Sequence, residues 1–224
     1  NEQDINNLDK YPISDRELAK LITTIENYNP AVIGIDIVRD KPQEPGHGEL
    51  EKIFRQQKNI IGVEKVLSHQ ENSRIDIIKP PKTLPEKQIG FVDILLDPDG
   101  NLRRTLLNVV INDNDELKFS LPIRLVEQYL ATKNISLENA PDDPNTMQVG
   151  AVKLTRVNPQ TGGYINTDAG GNQILLNFRR GENPFRIVSL ADIKQGRVQP
   201  DWIKNRIVLI GITALSVRDD VNTN

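Results

Sequence analysis

The most informative feature of this chain of 224 residues is what it lacks, beginning with cysteine. With no Cys there can be no disulfide, thiolate metal site or Cys nucleophile. Aromatic residues are only 4% of the chain, and 28 basic side chains face 31 acidic ones, for a net charge of −3. This composition shows no basic stripe interleaved with aromatics, so we expect no nucleic-acid partner.

Long apolar runs and catalytic motifs are missing too. No run approaches the roughly 20 residues that a membrane-spanning helix needs. The sequence also has no phosphate-binding GxxxxGK[ST] loop, no GxSxG elbow and no HExxH metal motif. Its two histidines, His47 and His69, fall in polar stretches without a second ligand at a usable spacing, so we expect solvated side chains there, and neither a metal nor a cofactor.

What is present is organised around Ala31–Asp40, the most β-branched run of the chain. A short apolar run that follows a helix is typical of a strand buried on both faces in a parallel sheet. Because alternate residues of a strand share a face, Asp36 would point with Gly34 into an apolar environment. A buried carboxylate there must find hydrogen-bond donors or a proton.

The neighbouring segments continue a helix–strand alternation. Ser14, with Glu17 three residues on, predicts a helix that Pro30 ends. A short helix over Glu49–Gln57 precedes a buried strand over Asn59–Val66, and Ile207–Ile212 predicts another. This order predicts a parallel sheet with crossover helices.

The remaining segments predict an antiparallel meander. Besides the core strand over 31–38, strands are predicted over 89–96 and 102–112 as an antiparallel pair and over 151–157, 164–166 and 174–179 in the meander, with helices over 120–132 and after Ser189. The acidic stretch 134–150 predicts a long loop or a subdomain boundary. The predicted fold class is therefore α/β, a mixed sheet with a largely parallel core flanked by helices plus an antiparallel meander extension.

Asp97-Pro-Asp-Gly-Asn101 allows two interpretations. Its acidic residues resemble a calcium loop, but glycine stands fourth, where an EF-hand loop has it sixth, and Asn108 occupies the twelfth position, where Glu is required. The sequence favours a hairpin turn in which Asp-Gly supplies the left-handed residue.

Paired arginines and acids in apolar strands suggest a polar cluster. Arg103-Arg104 and Arg179-Arg180 each place one guanidinium on either face of a strand, and we expect one of each pair to meet Asp36 or Asp93. Two explanations remain open, a buried ion-pair network that holds the sheet together and a polar pocket for a small ligand.

In an open α/β sheet, ligands bind beyond the carboxyl ends of parallel strands. This rule places Arg39, Asp40, Thr213 and Ala214 near any such pocket. The candidate ligand-binding residues are Asp36, Asp40, Asp93, Arg103, Arg104, Asn177, Arg179 and Thr213.

Several blocks, in order, resemble a known family. They are Pro12-Ile-Ser-Asp-Arg16, Asn29-Pro-Ala-Val-Ile-Gly-Ile-Asp36, Gly90-Phe-Val-Asp93, Asp97-Pro-Asp-Gly-Asn-Leu-Arg-Arg104, Ser120-Leu-Pro122, Leu175-Leu-Asn-Phe178, Val188-Ser-Leu-Ala-Asp-Ile193 and Ile207-Val-Leu-Ile-Gly-Ile-Thr-Ala214. Over Tyr11–Ala214 the chain is similar to the type-2 CHASE domain (CHASE2), the cyclase/histidine-kinase-associated sensory extracellular domain. The chain departs from the family's pattern at Val38, where an aromatic is usual.

The resemblance implies a non-catalytic sensor domain outside the cytoplasmic membrane of a bacterium. Its parent receptor would be membrane-anchored and would carry an adenylate or guanylate cyclase, a histidine kinase or a serine/threonine kinase. We therefore expect residues 1–224 to be a single sensory-domain fragment cut from a longer protein, lacking the family's first strand and the segment after Ala214, with an unknown small-molecule or protein ligand.

Two alternatives stay open at this point. One is a protein-interaction module, such as a homodimer without a small-molecule pocket. The other is a hydrolase or transferase that uses paired carboxylates such as Asp36 and Asp93, which would have to lie together in an open cleft.

Overall fold

The computed structural model describes residues 1–8, 11–67, 78–111, 116–179, 184–214, 216–217 and 223. The helices are α1 (Glu2–Asn6), α2 (Asp15–Glu26), α3 (His47–Gln56), α4 (Leu121–Ala131) and α5 (Leu190–Lys194). The strands are β1 (Val32–Ile35), β2 (Ile60–Glu64), β3 (Ile89–Phe91), β4 (Leu95–Leu96), β5 (Leu102–Ile111), β6 (Glu116–Phe119), β7 (Leu137–Ala140), β8 (Asp143–Val149), β9 (Val152–Lys153), β10 (Asn172–Leu175) and β11 (Ile207–Ile210).

A four-stranded parallel sheet forms the centre, in the order β11-β1-β2-β3. One face of β1 carries Ile33 and Ile35, which pack with α2 and α3 in the largest apolar cluster. The opposite face carries Val32, which packs with Ile61 and with Leu125 of α4. Helices thus cover both faces, as parallel sheets require, and the predicted parallel core is confirmed.

Antiparallel sheets extend this core. One has the order β10-β5-β4, with β6 paired to β5, and a second has the order β7-β8-β9. The turn between β4 and β5 is the predicted Asp-Gly hairpin, in which Gly100 adopts φ +79° and its N–H donates to the Asp97 carbonyl. The α/β class with an antiparallel extension is confirmed.

Several predicted boundaries differ from the structure. The strand predicted over 31–38 ends at Ile35, and the one predicted over 89–96 is two strands in different sheets, β3 and β4. The predicted loop over 134–150 contains the hairpin β7–β8, while 164–166 is irregular. Short polar strands escape a periodicity analysis because cross-strand pairing stabilises them without an apolar stripe.

Helix caps follow the predicted serines to different degrees. Ser14 accepts from the Glu17 N–H at 3.3 Å, and Ser189 forms a complete capping box with Asp192. Ser120 precedes α4 without a side-chain cap. Among the described residues, no helix has both the length and the apolarity needed to cross a bilayer.

Candidate functional site

The first residues of α2 and α3 converge at one edge of the parallel sheet. Each helix runs back against the strand that follows it, so its N-terminus lies at the carboxyl ends of β1 and β2. This edge is where open α/β sheets bind ligands. It also gathers the positive ends of two helix dipoles.

Asp15 is the buried centre of this edge, with 1% of its surface exposed. Its Oδ2 accepts from the Gln43 N–H at 3.1 Å and lies 2.8 Å from His47 Nδ1. Its Oδ1 lies 3.2 Å from Arg39 Nε, an ion pair whose geometry falls short of a hydrogen bond. One carboxylate thereby joins α2, the segment after β1 and α3.

Arg39 is the cationic partner of Asp15 and is itself buried. Its Nη2 donates to the Ile13 carbonyl at 2.8 Å and its Nη1 to the Val38 carbonyl at 2.9 Å. Burial lowers the pKa of Arg39, and the Asp15 charge opposes that shift. The guanidinium stays charged all the same, because arginine is not deprotonated in proteins.

His47 begins α3 and is the exposed member of the cluster, with 36% of its side chain accessible. One ring nitrogen faces Asp15, and the other lies 3.6 Å from Glu51 Oε1. Glu51 is also paired with Arg55 at 2.9 Å. The imidazole is therefore held by a buried carboxylate while one side remains open to solvent.

A cavity of about 100 Å³ opens beside this cluster. Its polar wall is formed by Asp15, Arg39, Asp40, Lys41, His47, Glu51, Lys82 and Thr83, and its apolar wall by Pro42, Leu50, Phe54 and Pro81. Within the described part of the chain, no group of three or more metal-binding side chains comes together. The geometry suits a small molecule with both polar and apolar parts.

Two predicted ligand residues lie near this edge without lining the cavity. Asp36 follows the last residue of β1 and is exposed, so the expected burial is wrong; its backbone N–H donates to the Ile210 carbonyl at 2.8 Å. Thr213 is exposed beyond β11. Of the predicted candidates, Asp40 is the one that lines the cavity.

Asp93 is buried, as expected, but it pairs with none of the described arginines. Its two carboxylate oxygens accept the N–H groups of Val66 and Leu67 at 2.8 and 2.9 Å. Because β2 lies between β1 and β3, Asp36 and Asp93 are at least two strand spacings apart, about 10 Å or more. The structure therefore gives no support to a catalytic pair of these carboxylates.

Arg103 and Arg104 pair with a different acid, Asp97. Arg104 Nε donates to Asp97 Oδ1 and Arg103 Nη1 to Asp97 Oδ2, each at 2.9 Å. The Tyr164 hydroxyl donates to the same Oδ2 at 2.7 Å, and Arg103 also makes a bidentate pair with Asp99. The expected pairing of Arg103 or Arg104 with Asp36 or Asp93 is wrong, and the ion-pair network lies at the hairpin turn.

Burial alone would raise the pKa of Asp97. The hydrogen bonds from Tyr164, Arg103 and Arg104 outweigh that effect and hold the pKa of Asp97 below its ordinary value. Burial, together with the bond to Asp97, raises the pKa of Tyr164. Asp97 therefore favours its ionised form, which pairs with the two guanidinium groups.

Asn177 and Arg179 follow β10 on the surface. Both are exposed, and the Arg179 guanidinium lies 6.0 Å from the centre of the Phe185 ring. They lie in neither the cavity nor the Asp97 network. The partner expected of this second arginine pair, Asp36 or Asp93, is not among the contacts of Arg179.

No pattern in the sequence had marked Asp15 or His47 as a site residue. Asp15 follows the helix-capping Ser14, a position where acids are common for dipole reasons, so its burial had no distinct signal. His47 had no neighbouring ligand in sequence, because its partner lies 32 residues away. His69 lies outside the described residues.

Comparison with known proteins gives one finding. The profile of the CHASE2 domain matches residues 1–224, the whole chain. No curated protein and no solved structure matches it significantly.

Proposed function

Because this chain belongs to the CHASE2 family of sensory extracellular domains, we propose that it is the sensor of a bacterial transmembrane receptor. In this proposal the domain lies in the periplasm or outside the cell, and its parent chain carries a cytoplasmic cyclase or kinase. The single observation that carries the proposal is the family match over residues 1–224. The domain itself performs no catalysis.

The cavity at the α2–α3 edge supports a sensor role. A ligand shifts a switch only through its differential affinity for two states. Asp15 joins three separate segments at the cavity wall, so a molecule bound there contacts groups whose arrangement sets the packing of α2 against α3. A conformational change in these segments would connect ligand binding at the cavity to the signalling output of the receptor.

The location is tested with alkaline phosphatase fused after this domain in the full-length receptor. Phosphatase activity in intact cells is expected, because the enzyme folds only outside the cytoplasm. A fusion that is expressed but inactive contradicts the extracytoplasmic placement.

The sensor role is tested by replacing His47→Gln in the same receptor and measuring its cytoplasmic output. The side chain is partly exposed, so we expect unchanged thermal melting with altered output. Lys58→Gln, an exposed position outside the cavity, is the matched control and should change neither. Equal output from H47Q and wild type, with both folded, argues against sensing at this edge.

A homodimeric interaction module is the second candidate. Ile207 and Leu209 of β11 are exposed on one face of the sheet, and among the described strands β11 pairs only with β1. An unprotected apolar edge strand favours pairing with a second copy. Light scattering of the purified chain distinguishes a stable dimer from a monomer.

A further inference from the structure

We propose that the cavity at the α2–α3 edge binds a small organic monoanion, a carboxylate with a short aliphatic body. Lys41 and Lys82 would neutralise the carboxylate, and Leu50 and Phe54 would contact the aliphatic part. This inference rests on the proposed sensor function and names the chemical class of its ligand.

Some charged side chains at the cavity have an ion-pair partner in the described part of the chain, and others have none there. Asp15 is paired with Arg39, and Glu51 with Arg55. Lys41, Lys82 and Asp40 line the same cavity and make no ion pair with any described residue. Among the lining side chains that have no described ion-pair partner, two cations therefore stand against one anion.

The backbone adds to this preference. α2 has 12 residues and α3 has 10, and the N-termini of both lie at this edge. The positive end of each helix dipole favours an anion nearby. Asp15 already occupies the interior position, and Glu44 Oε2 accepts the N–H groups of Gly46 and His47 at 2.7 and 3.4 Å. The carboxylate of the ligand would therefore sit further out, between the lysines.

The apolar wall and the size limit the body of the ligand. Leu50 and Phe54 are almost fully buried, and each contributes to the cavity surface together with Pro42 and Pro81. Pockets for larger ligands measure about 300–1,000 Å³. A cavity of about 100 Å³ accepts only a few carbon atoms beside the charged group.

The test is calorimetric titration of the purified chain with butyrate. Butyramide and butylamine, of similar size but uncharged or cationic, are the comparison ligands, and acetate lacks most of the aliphatic body. We expect saturable binding of butyrate, weaker binding of acetate, and no detectable binding of the other two.

The variant K41Q/K82Q should weaken butyrate binding about tenfold, or about 1.4 kcal/mol, because exposed charge pairs each contribute only modestly. K58Q/K87Q, two exposed lysines outside the cavity, is the matched control and should bind as wild type. Melting curves establish that both variants are folded.

Three results overturn the ligand class: no saturable butyrate binding, equal binding of butyramide, or unchanged affinity in folded K41Q/K82Q. None of them contradicts the sensor proposal, which is decided by the phosphatase fusion and by receptor output. If those two experiments fail while butyrate still binds, the chain is a ligand-binding domain without the proposed receptor role.

Discussion

Asp97 shows how one carboxylate can determine the stability of a hairpin. Its side chain is almost fully buried and accepts hydrogen bonds from Arg103, Arg104 and Tyr164. Arg104 is buried as well and also donates to Gln173 Oε1 and the Asp168 carbonyl. The network therefore joins the β4–β5 turn to β10 and to the loop that precedes it.

Replacing Asp97→Asn should lower the free energy of unfolding by about 3–5 kcal/mol, because it leaves the buried Arg104 charge without its counterion. The amide has nearly the same shape, so the loss reports charge and hydrogen bonding instead of packing. Chemical denaturation of the purified chain measures it.

Asp99→Asn is the matched control within the same turn. Asp99 is exposed and, of the described groups, bonds only the partly exposed Arg103 and the Asn101 N–H, and surface ion pairs contribute little. We expect a midpoint close to that of wild type. A loss in D99N equal to that in D97N would show that burial of Arg104 is not the cause.

At the scale of elements, the packing of α4 against the parallel sheet depends on Gly90. A Cβ at Gly90 of β3 would lie 2.5 Å from the Leu121 Cα and 2.7 Å from its N. These are backbone atoms at the start of α4, so they cannot move aside as a flexible side chain could. Leu121 and Leu125 cover β1 and β2 from this position.

Gly90→Ala should therefore destabilise the chain by about 1–3 kcal/mol through overpacking. Gly48→Ala is the control: it lies in α3, and a Cβ there meets no atom within 4 Å. It should leave stability unchanged or raise it by about 0.5 kcal/mol, because Ala favours helix. Comparable losses in the two thermal melts would contradict the role of the Gly90 contact.

At the scale of the whole molecule, the first helix contacts segments from the far end of the chain. Asp4 of α1 is buried and accepts the N–H groups of Leu190 and Ala191, at 3.2 and 3.0 Å, at the start of α5. Glu2 Oε2 accepts the Ser216 N–H at 3.0 Å. α1 thus connects α5 to the segment that follows β11, and in the proposed receptor it would couple their movements.

Asp4→Asn should loosen this connection. The loss of charge weakens hydrogen bonds that contribute about 1.5–3 kcal/mol when one partner is ionised, so amide exchange at Leu190 and Ala191 should accelerate by roughly tenfold or more. Hydrogen-exchange mass spectrometry measures the change.

Asp201→Asn, an exposed position in the 3₁₀ turn Pro200–Trp202, is the control for Asp4→Asn and should leave exchange in α5 unaltered. Unchanged protection of α5 in D4N would mean that α1 contributes nothing to holding it.

Sequence patterns predicted the secondary-structure elements better than they predicted the candidate site. The apolar runs near residues 31, 59 and 207 predicted neighbouring parallel strands, and the Asp-Gly pair predicted the β4–β5 turn; both are confirmed. The alternation of side chains between the two faces of a strand predicted that Asp36 is buried. The prediction fails because Asp36 lies one residue beyond the end of β1. The ligand-binding role of the eight candidate residues remains a prediction.

Asp97 was assigned to the turn, which is correct, but its role as counterion was missed. Local spacing shows where a residue lies along the chain, and it carries no information on which of several acids a buried arginine will meet. That choice depends on the twist and register of strands far apart in sequence.

The sequence by itself determined the parallel core, the antiparallel extension and the Asp-Gly turn, because hydrophobic periodicity and turn chemistry act over a few neighbouring residues. The resemblance of its motif blocks, in order, indicated the family. Only the tertiary structure decided that Asp15, Arg39 and His47 form one cluster beside a cavity. Asp15 and His47 are brought together by the packing of α2 against α3 on one face of the sheet, a long-range contact that no local pattern encodes.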